Sequence, residues 1–140
     1  MSIETSRVTN VVFVCEHGAA KSMIAATLFN REATRRKLAV RAVSRGTLPD
    51  SEIPQVVRDG LRAEGIELGN IRPQGLDAAD ASWETLYVAF DVDLPPSFAS
   101  VENVRRWDAL PSVMETFPQA REAIAACVND LIEELARPTN

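Results

Sequence analysis

Apolar positions in this chain come in short blocks set off by polar, glycine and proline turns. Val8 to Val14 reads Val-Thr-Asn-Val-Val-Phe-Val. Such a β-branched run predicts a strand buried on both faces. From Ser22 the pattern turns helical, with Ile24 and Leu28 as one spaced pair and Ala25 and Phe29 as another. Arg35, Arg36 and Lys37 crowd its far end, where cations suit the helix dipole. Ala39 to Ser44 reads as a second strand, broken by Gly46-Thr47-Leu48-Pro49-Asp50. Pro54 suits the first turn of a helix that runs to about Glu64, with Gly65 as its stop. Ile66 to Asp80 reads as loop with one helical turn near Leu76 to Ala79. Thr85 to Phe90 is a third strand, followed by Asp91-Val92-Asp93 and closed off by Pro95-Pro96. Val101 to Trp107 reads as a weaker fourth strand, and Pro111 and Pro118 bracket a loop. The last helix, about Pro118 to Ala136, carries Ile124, Cys127, Val128, Leu131 and Leu135 along one stripe.

Strands that alternate with helices predict an α/β fold. The simplest arrangement is a single Rossmann-like domain with a central four-stranded parallel sheet and helices on both faces. A length of 140 residues suits one domain, and no internal repeat or linker divides the chain. Ligands in such folds sit at the carboxyl ends of the strands. Cys15 and Asp91 each follow directly on a predicted strand and therefore share that rim.

Composition narrows the function. The chain is 46% hydrophobic and 25% charged, as soluble globular proteins are. No apolar run approaches the length of a membrane span, and the polar first ten residues do not read as a secretory signal, so a cytoplasmic protein is expected. A formal net charge of −5 argues against nucleic acid or an anionic membrane as the main partner. It leaves room for a small anion in a local positive pocket. The two cysteines, Cys15 and Cys127, make no disulfide framework and lack the paired spacing of a zinc site. His17 is the single histidine, so a multi-histidine metal site is excluded and no metal or organic cofactor is expected.

The candidate chemistry lies in Cys15-Glu16-His17-Gly18-Ala19-Ala20-Lys21-Ser22. A loop between a buried strand and a helix start aims several backbone N–H groups at one point, and the helix dipole adds partial positive charge. Gly18, Ala19 and Ala20 let an anion approach the backbone closely. Lys21 adds a full positive charge. Cys15 stands in this field as the candidate nucleophile, because helix N-termini and nearby cations favour the thiolate. Each residue also has a plainer reading. Cys15 would be a core cysteine at a strand end, and Lys21 a solvated lysine. Ser22 would be an N-cap, a role compatible with a catalytic hydroxyl. His17 would be a solvent-facing loop residue or a proton carrier. Glu16 would turn its carboxylate away from a bound anion. Asp91, Asp93 and Asp108 would be strand-end or surface carboxylates. Cys127, Trp83 and Trp107 would be packing residues.

Val-Val-Phe-Val-Cys15, five residues, then Lys21-Ser22 resembles the signature of the low-molecular-weight protein tyrosine phosphatases, which include related arsenate reductases. Ser44-Arg45-Gly46-Thr47, Gly65-Ile66, the segment from Ala79-Asp80 to Phe90-Asp91, Trp107-Asp108 and the final helix resemble further segments of that family, so the similarity spans nearly the whole chain. The resemblance implies attack by Cys15 on phosphorus. The amides of Glu16, His17, Gly18, Ala19 and Ala20, with Lys21 and Ser22, would hold the oxyanion, and Asp108 or Asp91 would be the general acid. The chain departs from the family in three places. Lys21 stands where the family has arginine, and a flexible point charge does not replace a bidentate fork. His17-Gly18 replaces Gly-Asn. Asp108 is followed by Ala109 where the family has Asp-Pro, and a shifted alignment puts Ser112 at the acid's place. Arg45, where the family has a small residue, is expected to supply the guanidinium that Lys21 lacks. Three activities follow: a phosphomonoester phosphatase, an arsenate reductase drawing on a small thiol or redoxin, and a non-catalytic binder of an oxyanion or phosphoprotein.

Overall fold

The computed structural model describes residues 8–77, 80, 84–98, 101 and 103–137. Four strands form one parallel sheet: β1 (Asn10–Cys15), β2 (Arg41–Gly46), β3 (Thr85–Ala89) and β4 (Val104–Arg106), in the order β2-β1-β3-β4. β1 is central, and Val11 to Val14 are buried whichever face they point to, which is why this segment shows no polar alternation. The register sets Cys15 beside Gly46 and Val14 beside Ala89. The carboxyl ends of β1, β2 and β3 thus meet at one rim.

The helices α1 (Lys21–Arg35), α2 (Gln55–Arg62) and α3 (Phe117–Ala136) share one core with Val11, Phe13, Leu86 and Val88. Phe13 centres it, its ring 6.1 Å from those of Phe29 and Phe90 and 5.6 Å from that of Trp107. Full burial of such a side chain contributes about 1.5–3 kcal/mol. The other face of the sheet presents Val12, Val14 and Tyr87 to Phe98, from a 3-10 turn at Pro96–Phe98, with Leu76, Val92 and Leu94 alongside. Among the described residues, no helix is long and apolar enough to cross a membrane.

Several boundaries differ from expectation, each for a physical reason. β1 starts at Asn10 and continues through Cys15, because Cys15 still pairs with β2. β2 runs two residues beyond the expected Ser44, since Gly46 is its last paired residue and not its breaker. Pro54 is the N-cap of α2 and not part of its first turn. Cys127 is half-buried at the edge of the α3 stripe, where Ala120 and Ile132 complete the buried set. Trp83, and Ala79 of the expected turn at Leu76–Ala79, lie outside the described residues.

Candidate active site

The loop from Cys15 to Ser22 owes its shape to where its carbonyls go. The Cys15, Glu16 and His17 carbonyls accept hydrogen bonds from the backbone N–H groups of Thr47 (3.1 Å), Leu48 (2.7 Å) and Asp50 (3.1 Å). The Gly18 carbonyl accepts from the Ser44 hydroxyl at 3.1 Å. With these oxygens turned to the segment after β2, the N–H groups are left for the other side. Among the described residues, none accepts a hydrogen bond from the amides of residues 16–23, and the first helical bond runs from Ile24 to the Ala20 carbonyl. Free donors at a helix start, with the dipole behind them, leave a cradle suited to an anion.

Two glycines allow the crossing. Gly18 has φ +63°, and a Cβ there would meet the Gly46 nitrogen at 2.7 Å. A Cβ on Gly46 would meet the Gly18 nitrogen and the His17 carbonyl carbon, both at 2.7 Å. The backbones touch, and neither position has room for a methyl group.

Cys15, at the end of β1, is 8% exposed, and its Sγ lies 2.9 Å from the Ser22 hydroxyl. Ser22 Oγ lies 2.7 Å from Ser44 Oγ. Each hydroxyl holds one proton, so the chain has two settings. With a thiol, the bonds run from sulfur to Ser22 to Ser44 to the Gly18 carbonyl. With a thiolate, Ser44 turns to Ser22 and Ser22 donates to sulfur. Ser22 is therefore not the expected N-cap: Ala20 takes that place with no side-chain bond, and Ser22 is fully buried inside the first turn. Ser44 lies in the family-like Ser44-Arg45-Gly46-Thr47 segment, but the sequence assigns it no role at the site. Its signal is the small-residue alternation Ala42, Ser44, Gly46 on the β2 face that meets α1.

Lys21 does not reach freely into the cradle. Its ammonium donates to Asp91 Oδ2 at 3.3 Å and to the Leu110 carbonyl at 3.1 Å. Asp91 Oδ1 accepts from the Ala109 N–H at 3.0 Å, and the Asp91 N–H donates to Asp108 Oδ1 at 2.8 Å. Asp108 Oδ2 accepts from Arg106 Nε at 2.8 Å, and Arg106 also donates to Asp93 and to the Val92 carbonyl. The Arg106 guanidinium, with the Asp91 amide, holds the Asp108 carboxyl below the usual carboxylate range. That opposes the proton-donor role expected of Asp108. Both Asp91 oxygens are occupied, Oδ1 by the Ala109 N–H and Oδ2 by the Lys21 ammonium, so neither is free to face a leaving group in this arrangement.

Arg45 does not join the loop. Its side chain pairs with Asp80 at 3.1 Å and donates to the Ser44 carbonyl. Strand alternation sends it to the sheet face opposite Ser44. His17 is exposed, with Nδ1 3.2 Å from the Leu48 carbonyl and Nε2 3.3 Å from a Glu16 carboxylate oxygen. Glu16 thus lies beside its exposed neighbour His17 and is itself exposed. Among the described residues, no group of three or more His, Cys, Asp or Glu side chains is placed to hold a metal ion.

The fold recurs in solved structures. A thioredoxin-dependent arsenate reductase from Corynebacterium glutamicum superposes with a TM-score of 0.72 at 24% identity over 91% of this chain, which spans only 62% of that protein. An arsenate reductase from Archaeoglobus fulgidus gives 0.69 at 24% identity, covering 88% of this chain and 98% of that one. A low molecular weight protein tyrosine phosphatase from Bacillus subtilis gives 0.73 at 20% identity, covering 90% and 96%. No curated protein matches the chain in sequence. Residues 10–109, which hold the whole sheet, the cysteine loop and the rim carboxylates, match the family of low molecular weight phosphotyrosine protein phosphatases, and the chain belongs to that enzyme family.

Proposed function

We propose that the protein is a cysteine-dependent phosphatase acting on phosphomonoesters, with phenolic esters such as phosphotyrosine preferred. The observation that carries this reading is a thiol beside Ser22 at the start of a loop whose Cys15 to Gly18 carbonyls are bonded outward. The Cys15 thiolate attacks phosphorus, an S–P bond forms and the ester P–O bond breaks. The loop amides hold the three oxygens that remain on phosphorus. Water then attacks phosphorus, the S–P bond breaks, and phosphate and the thiolate are released. Because Asp108 is held ionised by Arg106, the leaving oxygen takes its proton from water. That suits a phenol, whose pKa is about 10, better than an alkyl alcohol.

Arsenate reduction is the second reading, since arsenate matches phosphate in shape and charge and arsenate reductases share this fold; the displaced arsenate oxygen would leave as water, taking its proton from solvent. Cys15 would form the arsenic adduct, and an external thiol would attack the Cys15 sulfur, releasing arsenite and leaving a mixed disulfide. A second external thiol would restore Cys15. The half-buried Cys127 on α3 offers no resolving thiol at the rim.

The test measures hydrolysis of aryl and alkyl phosphates, and arsenite formation with glutathione or thioredoxin, by wild type and Cys15→Ser. Aryl phosphate turnover that Cys15→Ser abolishes supports the phosphatase. Thiol-dependent arsenite formation without phosphate release supports the reductase. Unimpaired turnover by Cys15→Ser overturns both, and phosphate binding with no turnover identifies a non-catalytic binder.

A further inference from the structure

Lys21 replaces the loop arginine, yet its charge is already engaged. Its ammonium is mostly buried and bridges the loop after β3, through Asp91, to the loop after β4, through the Leu110 carbonyl. Asp91 in turn fixes Ala109 and is fixed by Asp108, which Arg106 anchors. Asp91 and Ala109 both have left-handed backbones, with φ +56° and +61°. An aspartate tolerates that conformation, whereas for Ala109 it is costly and is held by the surroundings. The Asp91–Lys21 contact is thus the inner end of a built chain, Arg106–Asp108–Asp91–Lys21, and not a chance surface pair.

We propose that Asp91 is a positioning residue that acts as the resting counter-anion of Lys21, so that an incoming oxyanion gains Lys21 only by displacing this carboxylate. The proposal rests on the oxyanion-binding reading above. An arginine could serve both sides at once through separate N–H groups, with its fork on the anion and a remaining donor on the carboxylate. A lysine is a single point charge, and what it gives to Asp91 it withholds from the cradle. Asp91 therefore weakens anion capture. Since Lys21 also holds the Leu110 carbonyl, capture pulls on the loop after β4 and couples the anion to that loop.

The experiment is a double-mutant cycle on binding of inorganic phosphate, read by calorimetry and by backbone amide shifts, with wild type, Asp91→Asn, Lys21→Met and the double variant. Asparagine keeps the acceptor for the Ala109 N–H and tolerates the left-handed backbone, so the rim keeps its shape. The expected result is about threefold tighter binding, or more, in Asp91→Asn, on the scale of one partly exposed ion pair, and no gain in the Lys21→Met background. In wild type, phosphate should also shift the amides of Ala109, Leu110 and Ser112. Unchanged or weaker binding in Asp91→Asn overturns the proposal. So does an equal gain in both backgrounds, which would be simple relief of repulsion. Phosphate failing to shift any amide of residues 16–23 in every variant refutes the oxyanion site itself, a separate outcome. A merely structural Asp91 would lower stability without tightening phosphate.

Discussion

Replacing Gly46 with alanine puts one methyl group where two backbones touch. Its Cβ would lie 2.7 Å from the Gly18 nitrogen, 2.7 Å from the His17 carbonyl carbon and 2.9 Å from the Glu16 carbonyl oxygen. Carbon needs about 3.5 Å, so the loop must retreat by about 0.8 Å, and no flexible side-chain end is there to yield. Gly46 is not among the glycines with positive φ, so the strain comes from contact alone. Overpacking of this kind costs about 1–3 kcal/mol. For a chain of 140 residues, a loss of about 2 kcal/mol lowers Tm by about 7 °C. Activity should suffer more than stability, since displacement of catalytic groups by about 1 Å costs about a hundredfold. The matching control is Gly65→Ala. Gly65 has φ +85° and no atom within 4 Å of its added Cβ, so the variant carries left-handed strain of about 1–2 kcal/mol without touching the loop. The assay pairs thermal melts with phosphate affinity and aryl phosphate kcat/KM. Gly65→Ala should lose stability and keep kcat/KM, and Gly46→Ala should lose both. A destabilised Gly46→Ala with wild-type kcat/KM and phosphate affinity would refute the claim that the Gly18–Gly46 contact sets the cradle.

Ser22→Ala removes the hydroxyl that reaches the sulfur, so kcat/KM should fall about 10- to 100-fold, the scale of a hydrogen bond to a charged group. The rate of Cys15 alkylation at fixed neutral pH should fall with it, and unchanged values for both would contradict the two-setting chain. Asp108→Asn keeps an acceptor for the Asp91 N–H and removes the ionic contact with Arg106. Aryl phosphate turnover should barely change, whereas loss of about a hundredfold or more would restore Asp108 as the general acid. Tyr87, the one tyrosine of the chain, donates to the Asp80 carbonyl, and burial, with Asp80 nearby, pushes its phenol up to about 12. Against about 10 in the unfolded chain, the neutral phenol stabilises the fold fully below about pH 10 and loses that effect as pH rises through about 12. A phenolate absorbance titration of the native protein should therefore lag that of the denatured protein, and coincident curves would refute the buried setting.

The elements that a local pattern can specify were legible. β1 shows as an apolar run without polar alternation because both of its faces are covered, and α3 shows as a stripe because only one side is. The rim depends on contacts between distant residues. Gly46 looks like a strand breaker in sequence, but it is glycine because the loop crosses it, and that crossing exists only once β1 and β2 are in register. Ser22 looks like a cap because helix-start serines often are, yet Gly18 sets the turn and sends Ser22 inward. Arg45 is next to the loop's partner strand residues in the chain, yet strand alternation puts its side chain on the other face, against Asp80. Lys21 and Asp91 are 70 positions apart, and nothing local announces that they meet.

In the proposed reaction the Cys15 sulfur becomes covalently bonded to phosphorus inside the amide cradle. Rapid acid quench during aryl phosphate turnover, followed by peptide mapping, tests it most directly. A phosphorylated peptide containing Cys15 is expected on the timescale of turnover, and none from Cys15→Ala. Turnover with no adduct at any quench time, or an adduct on Cys127 or His17, would contradict it.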